Sequence, residues 1–273
     1  MEKYFAASNS SEGFCSYYDE VFNPRNFYKI YIIKGGSGTG KAFFMKEVAK
    51  CAELNGFSVK YIYCSSDAES LDGIIINESK IAVLDGTSPH VYEPKYVGAV
   101  ESFVNLSDFL DERLLISSRK LIENISKEKK RGFERVYRNL KAYKKLSENV
   151  EDIVLPCLKH EKIKKYAKRF ANGFEEEGGV EEHLLSRAIG MRGLTSFDTY
   201  FQNSKIYHEI NDYFESAHFM MKEIYLYMRE KRVDLRLSNN PIIKNRIDVL
   251  CATSTGLTFE ISNEMNDSRS INM

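Results

Sequence analysis

The pattern of apolar and polar positions predicts a strand, a helix and further strands in the first third of the chain. Residues 28–34, YKIYIIK, are β-branched and aromatic and stop at a glycine cluster, which predicts a strand running into a turn. Residues 41–54 carry apolar side chains at helical spacing and end at Asn55-Gly56, which predicts a helix. Further strands are predicted at 57–63, 73–77 and 80–84. This order predicts an α/β fold with a mostly parallel sheet.

The same pattern recurs later in the chain at an offset of 176 residues. IYIIKGGSGTGKAFFMKEV at 30–48 aligns without a gap with IYHEINDYFESAHFMMKEI at 206–224. The strand and helix positions are retained, but residues 211–217 contain neither glycine nor lysine. The sequence therefore predicts two βαβ-type halves, of which the second is degenerate and lacks a glycine-rich loop.

A basic segment separates the two halves. Residues 113–170 contain 18 lysines and arginines against 7 acidic residues, with apolar residues at three- and four-residue spacing. This pattern predicts long amphipathic helices whose charges form a solvated face, and the alternative is a phosphate-backbone footprint for nucleic acid. The sequence divides into a first half (1–110), a helical insertion (111–171), an acidic linker (172–183), a second half (184–262) and a tail (263–273).

The strongest motif lies between the first predicted strand and helix. It fits G-x-x-x-x-G-K in the strand–loop–helix context that a P-loop requires. Glycines allow successive backbone N–H groups to point at phosphate oxygens, and the helix N-terminus adds its dipole. The alternative is a glycine-rich turn without a ligand. We predict that the triphosphate of a nucleotide, with ATP as the expected ligand, is bound by Gly35, Gly36, Ser37, Gly38, Thr39, Gly40, Lys41 and Ala42.

Ala42 departs from the motif. A serine or threonine is expected after Lys41, because its hydroxyl coordinates Mg²⁺. A methyl group cannot bind the metal, although the loop and Lys41 can still hold phosphates. We therefore expect ATP binding with a weakened or water-mediated Mg²⁺ site, and slow hydrolysis.

Two acidic residues follow predicted strands and are candidates for catalysis. Asp85 ends the apolar run at 81–84 and is predicted to hold the magnesium shell, the alternative being a turn with Gly86. Asp67 follows the second strand and could orient water or metal, the alternative being the N-cap of a helix at 68–71.

Other polar residues near the motif are weaker candidates. His90 could face the γ-phosphate, although a lone histidine beside a turn is more often a surface residue. Asp72 aligns with Asp248 in the half without a phosphate loop, so Asp72 is interpreted as structural.

The segments YIIKGGSGTGKAFFMKEVA, YCSSDAESLDGIII and KIAVLDGTSPHVYEPKYVGAVESFVNL resemble a poorly characterised bacterial family of ATPase-like proteins. The resemblance is close over 1–110, weaker over 184–262 and weakest in the helical middle. It implies a P-loop NTPase half followed by a related half, with family motif positions at Gly35, Gly40 and Lys41 and the strand-end acid at Asp85. Family motifs usually end in Gly-Lys-Ser or Gly-Lys-Thr, from which Ala42 departs.

Composition limits the remaining function classes. Hydrophobic residues make up 43 % of 273 residues, and 39 basic residues balance 39 acidic ones. Five scattered cysteines without a Cys-x-x-Cys pair favour reduced thiols and a cytoplasmic location. The absence of a long apolar run predicts no membrane span.

Three functions remain open. The first is an ATPase-like protein with weakened hydrolysis. The second is a non-hydrolysing, nucleotide-responsive protein that engages an unknown protein partner through the helical insertion. The third is a nucleotide or small-molecule kinase. Nucleic acid is not the expected partner.

Overall fold

The computed structural model describes residues 1–89 and 92–262 and the strand at 270–271, and these residues form two six-stranded sheets. In the first half the helices are α1 (Tyr18–Val21) and α2 (Lys41–Leu54), with 3-10 turns at Pro24–Asn26 and Ser107–Phe109. The strands of this half are β1 (Glu2–Phe5), β2 (Ala7–Ser10), β3 (Gly13–Ser16), β4 (Lys29–Lys34), β5 (Val59–Tyr63), β6 (Leu71–Ile76), β7 (Ile81–Asp85) and β8 (Glu101–Asn105).

Three helices lead from the first half to the second: α3 (Glu112–Ser117), α4 (Arg119–Val154) and α5 (His160–Ala171), with a 3-10 turn at Leu155–Cys157. The second half contains the helices α6 (Thr199–Asn203) and α7 (Ala217–Glu230). Its strands are β9 (Glu181–His183), β10 (Arg187–Gly190), β11 (Gly193–Ser196), β12 (Ile206–Asn211), β13 (Leu235–Asn239), β14 (Ile247–Ala252), β15 (Leu257–Ser262) and β16 (Ser270–Ile271).

The two sheets have the same strand order. The first is β1-β5-β6-β7-β4-β8 and the second is β9-β13-β14-β15-β12-β16, so each strand has a counterpart at the same place. In each sheet three neighbouring pairs are parallel and two are antiparallel. The α/β class is therefore confirmed. β6 runs antiparallel to β7 because the four-residue connection at 77–80 is too short for a parallel crossover.

Several elements differ from the sequence prediction. The predicted linker at 172–183 ends in strand β9, because Glu181–His183 pairs in parallel with β13. The hairpin of β2 and β3 was not predicted: Ala7–Ser10 is largely polar, yet all four residues are buried. Hydrophobic alternation cannot reveal a strand whose polar side chains are buried by contact with the other half of the molecule.

The two halves meet through reciprocal contacts. Phe5 and Leu185 exchange backbone hydrogen bonds of 2.8 and 2.9 Å. Ser11 N donates to Ile242 O at 3.0 Å, and its counterpart Met191 N donates to Ser66 O at 3.1 Å. One apolar core cluster includes residues of both halves. The two halves therefore pack against each other through equivalent residues of each half.

The first half buries one face of α2 on its sheet. Met45, Ala49 and Ala52 of this helix are buried and pack in one cluster with apolar residues of β4, β5, β6 and β7. Every residue of β6 is buried, so this strand lies in the middle of the core. This packing fixes the start of α2 against the end of β4, and so fixes the position of the glycine-rich motif between them.

The basic helical segment is exposed to solvent in its first part and packed against the rest of the molecule in its second part. Most residues from Glu112 to Arg131 are exposed, including the aliphatic Leu121 and Ile125. Further along, Tyr137 donates to Asn9 at 3.0 Å, and Ser147 is buried against the second half. The solvated basic face is thus observed on α4, while its second part is fixed to the body of the molecule.

Candidate functional site

The glycine-rich motif lies at the carboxyl edge of the first sheet. β4 is paired in parallel with β7 on one side and with β8 on the other. The carboxyl ends of these three strands therefore share one edge, where ligands of open α/β sheets bind. The motif follows β4 directly and leads into α2.

The loop backbone requires glycine at three positions. Gly38 and Gly40 have φ angles of 81° and 83°, which favour glycine strongly. A Cβ on Gly35 would lie 2.7 Å from Thr39 Oγ1. At the start of α2, Gly40 occupies the N-cap position and contributes no side-chain cap. The first N–H groups of this helix are thus available for an anion, as a phosphate loop requires.

Lys41 lies over the loop and faces Asp85. Its Nζ donates to Gly35 O at 2.8 Å and to Gly36 O at 2.9 Å. It lies 3.5 Å from Asp85 Oδ2, with the two side chains 12 % and 13 % exposed. The sequence placed these residues 44 positions apart, and the fold brings them into one ion pair.

Asp85 is held by its own turn. It ends β7 opposite Ile33 of β4, and its Oδ1 accepts hydrogen bonds from Thr87 N at 2.9 Å and Thr87 Oγ1 at 2.6 Å. The turn role and the site role thus coexist, because the second oxygen faces Lys41. An oriented carboxylate at this position can hold the water shell of a magnesium ion.

Buried polar groups lie behind Asp85. Burial raises the pKa of Tyr18 well above its usual value, and the charges of Asp72 and Asp85 raise it further. Burial also raises the pKa of the Cys64 thiol to about 12, with a contribution from Asp72. Tyr18 and Cys64 are therefore protonated at neutral pH. The buried position of Asp72 is consistent with the structural role predicted for it.

Asp67 lies at the same edge but away from the loop. Its Oδ1 accepts from Glu69 N at 3.2 Å, and its carbonyl accepts from Ser70 N at 2.9 Å. These bonds close the turn between β5 and β6, and Leu71 then begins a strand instead of the helix considered above. β6 and β7 lie between β5 and β4, so Asp67 is roughly 14 Å from the loop strand at about 4.8 Å per strand.

The hydroxyl groups of the loop have different surroundings. Thr39 Oγ1 donates to Gly36 O at 2.9 Å, which stabilises the turn. Ser37 lies in the loop turn and is exposed. Ala42 packs beside the core cluster of α2, so its methyl group adds no polar atom to the site. His90, the other sequence candidate, lies outside the described residues.

The equivalent loop of the second half is closed by its own side chains. At the 176-residue offset Lys41 corresponds to Ala217 and Asp85 corresponds to Ile261. Asp212 Oδ1 accepts from Ala217 N at 2.9 Å, so a carboxylate already caps the helix end that a phosphate would need. Phe214 has a φ of 55°, matching the left-handed conformation of Gly38 without a glycine.

An ion-pair cluster also covers this second loop. Arg246 bonds Glu215 of the loop through Nη1 and Glu151 of α4 through Nη2, the latter at 2.8 Å. His218 Nε2 lies 2.9 Å from Glu151, and Ser147 Oγ donates to Glu215 at 2.9 Å. The end of α4 is therefore fixed on the loop that corresponds to the glycine-rich loop of the first half.

We predict that one nucleotide binds per chain. The second half has no lysine at position 217, and Asp212 would repel a phosphate from the start of α7. Calorimetric titration with ATP should give a stoichiometry of one. A stoichiometry of two would show that the second loop opens and binds as well.

We also predict that Arg246→Ala destabilises the fold. The arginine is 10 % exposed, and its loss leaves Glu151 and Glu215 without their shared cation. Breaking such a pair costs about 3 kcal/mol of unfolding free energy, the lower end of the range because both carboxylates are partly exposed. Urea unfolding measures this loss. Arg119→Ala is the control, because it removes an exposed ion pair with Glu123 on α4, the helix that carries Glu151. It should lower the free energy of unfolding by no more than about 0.5 kcal/mol.

The stability that Arg246→Ala loses depends on pH through the pKa of Glu151. Burial raises the pKa of this carboxyl, but Arg246 and His218 lower it more, so the net pKa lies below the usual range. A lowered folded-state pKa gives stability that is present above the unfolded pKa and lost as pH falls through the folded value. The difference between wild type and Arg246→Ala should therefore shrink in acid.

The sequence analysis did not identify the loop after β8 as part of the site. Asn105 ends β8 beside Lys34, and Asn105 Nδ2 donates to Asp108 Oδ1 at 2.7 Å. The available signal was a polar residue at the end of an alternating strand, which is a common feature of strand ends.

No helix within the described residues has the length and apolar character needed to cross a membrane, since α4 is long but heavily charged. Comparisons with protein-family models, curated proteins and solved structures gave no match to this chain.

Proposed function

We propose that this chain is a P-loop nucleotide-binding protein that binds ATP on the loop between β4 and α2. The observation that carries the proposal is the pairing of Lys41 with Asp85 above a glycine loop whose helix start has no side-chain cap. Such a constellation combines N–H donors, a lysine cation and an oriented carboxylate, which are the groups a triphosphate needs.

Nucleotide binding would change the hydrogen-bond partners of the Lys41 ammonium group. Its ammonium group bonds two loop carbonyls and lies near Asp85, and all three contacts are made by groups that border the phosphate position. The β- and γ-phosphates would replace the carbonyls as its partners, since a charged acceptor gives a stronger hydrogen bond. Asp85 then becomes available for the water shell of Mg²⁺, which neutralises phosphate charge.

Hydrolysis should be slow. Asp85 fits a magnesium site through water, but Ala42 supplies no oxygen at the start of α2. The metal would keep a water at that position, with looser geometry than a protein hydroxyl gives. An ATPase-related protein with weakened Mg²⁺-dependent hydrolysis is therefore the function we favour.

A nucleotide-responsive interaction protein is the second candidate. It is favoured by α4, whose first part is exposed and whose last turns are fixed on the second loop by Glu151. A partner would contact the exposed part of α4.

The third candidate, a kinase, has no specific support from the described residues. The five free cysteines support a reducing, cytoplasmic location.

The proposal is tested by calorimetric titration of the full chain with ATP, with Mg²⁺ and with EDTA, alongside a turnover assay. We expect binding in both conditions and little phosphate release. If the chain bound neither ATP nor inorganic tripolyphosphate, the P-loop proposal would be wrong.

A further inference from the structure

The loop after β8 lies directly against the start of the P-loop. Asn105 is the partner of Lys34 in the parallel pairing of β8 with β4, and Leu106 N donates to Lys34 O at 2.8 Å. Leu106 Cβ lies 3.4 Å from the position that a Cβ would take on Gly35. The loop that begins at Asn105 therefore borders the phosphate loop itself.

The loop after β8 and the expected position of the terminal phosphate lie on opposite sides of β4. Lys41 and Asp85 lie on the β7 side of β4, and β8 lies on the other side. With its terminal phosphates held between Lys41 and Asp85, a nucleotide has the β8 side available for its nucleoside.

An open cleft is present on that side, with a volume of about 980 Å³ including its solvent-facing part. It is lined by Asn105, Ser107, Asp108, Leu110, Asp111, Glu112 and Arg113. The lining has three carboxylates against the one arginine, Arg113, so its net negative charge disfavours a phosphate and the cleft suits an uncharged group. A purine base carries hydrogen-bond donors and acceptors without charge and is of this kind.

The Asn105 amide is held in one orientation. Its Nδ2 donates to Asp108 Oδ1 at 2.7 Å, and its Oδ1 accepts from Ser107 N at 3.0 Å. A side-chain amide has two N–H donors and two acceptor lone pairs. These bonds use one of each, so one donor and one acceptor on the exposed amide are available to a ligand.

We propose that Asn105 reads the base of the bound nucleotide and selects adenine over guanine, with Asp108 as a positioning residue. The remaining donor and the remaining acceptor would pair with N7 and the N6 amino group of adenine. Guanine presents two acceptors, N7 and O6, on the same edge, so the amide oxygen would face an acceptor. This inference rests on the proposed function, because only the P-loop brings a nucleotide to the cleft.

Titration calorimetry with ATP, GTP and inorganic tripolyphosphate tests the inference on the full chain. Wild type should bind ATP at least about 10-fold more tightly than GTP, the discrimination typical of one bidentate amide contact. Asn105→Ala should remove that difference and leave tripolyphosphate affinity unchanged. Asn124→Ala is the matched control, because it is the same substitution at an exposed position of α4 outside the cleft and should change neither value.

Asp108 gives a second readout. Asp108→Ala frees the amide and should reduce the preference for ATP, whereas Asp108→Asn keeps an oxygen acceptor and should restore it. Thermal melting of each variant checks folding.

The outcomes separate the two proposals. If tripolyphosphate and ATP bind but GTP binds as tightly as ATP, or Asn105→Ala keeps the preference, the assignment of Asn105 is wrong and the P-loop proposal stands. If none of the three ligands binds, the P-loop proposal fails and this inference fails with it.

Discussion

Lys41→Ala should lower ATP affinity by about 100-fold. The substitution removes a full charge from the β- and γ-phosphates, and hydrogen bonds to charged groups contribute about 1.5–3 kcal/mol each, where 1.4 kcal/mol is tenfold. It also leaves Asp85 without the cation 3.5 Å away, so that carboxylate would repel the incoming phosphates. Both effects act in the same direction.

Calorimetry of the variant and wild type measures this loss. Lys50→Ala is the matched control, because Lys50 is an exposed lysine of the same helix and should have no effect on affinity. Lys41 contacts loop carbonyls and no core residue in the described contacts, so the melting temperature should change little. Equal ATP affinities for wild type and Lys41→Ala would contradict the assignment of the P-loop.

Ala42→Ser should raise Mg²⁺-dependent hydrolysis by a factor of about 10² to 10³, the usual effect of one preorganised stabilising contact in a transition state. The serine hydroxyl would add a direct magnesium ligand at the start of α2, beside the carboxylate of Asp85. The dependence of ATP affinity on Mg²⁺ should also become stronger. The expected gain requires that Asp85 and a water-positioning group are in place.

A cysteine at position 42 is a control that separates the shape of the new side chain from its oxygen atom. Ala42→Cys matches the serine in shape, but Mg²⁺ prefers oxygen ligands and a thiol gives it little. Turnover of this variant should remain at the wild-type level in Mg²⁺. If wild type already hydrolysed ATP at an ordinary rate and Ala42→Ser changed nothing, then Ser37, Thr39 or a water would serve the metal, and the weakened-enzyme proposal would fail.

The two experiments together decide between the candidate functions. A large loss with Lys41→Ala and a large gain with Ala42→Ser would indicate an ATPase architecture in which the metal ligand has been lost. A loss with Lys41→Ala and no gain with Ala42→Ser, starting from a low wild-type turnover, would favour the nucleotide-responsive interaction protein, because phosphate binding would then exist without a catalytic site to restore.

The sequence by itself determined the local part of the site. A strand, a glycine loop and a helix are consecutive in the chain, and the conformations at Gly38 and Gly40 depend on the absence of a side chain at those residues. The strand-end position of Asp85 was also readable, because four apolar residues precede it. Helical spacing likewise predicted the basic helices, since their pattern repeats over many turns.

The tertiary structure decided which of these residues meet. It brought Asp85 to Lys41 because β7 pairs with β4, and it separated Asp67 from the loop by placing β6 and β7 between. It placed Asn105 beside the glycine-rich loop through the pairing of β8 with β4. Strand order depends on contacts between distant residues, and the periodicity of a single strand carries no information about its neighbours. The motif was therefore visible in the sequence, whereas its surroundings required the fold.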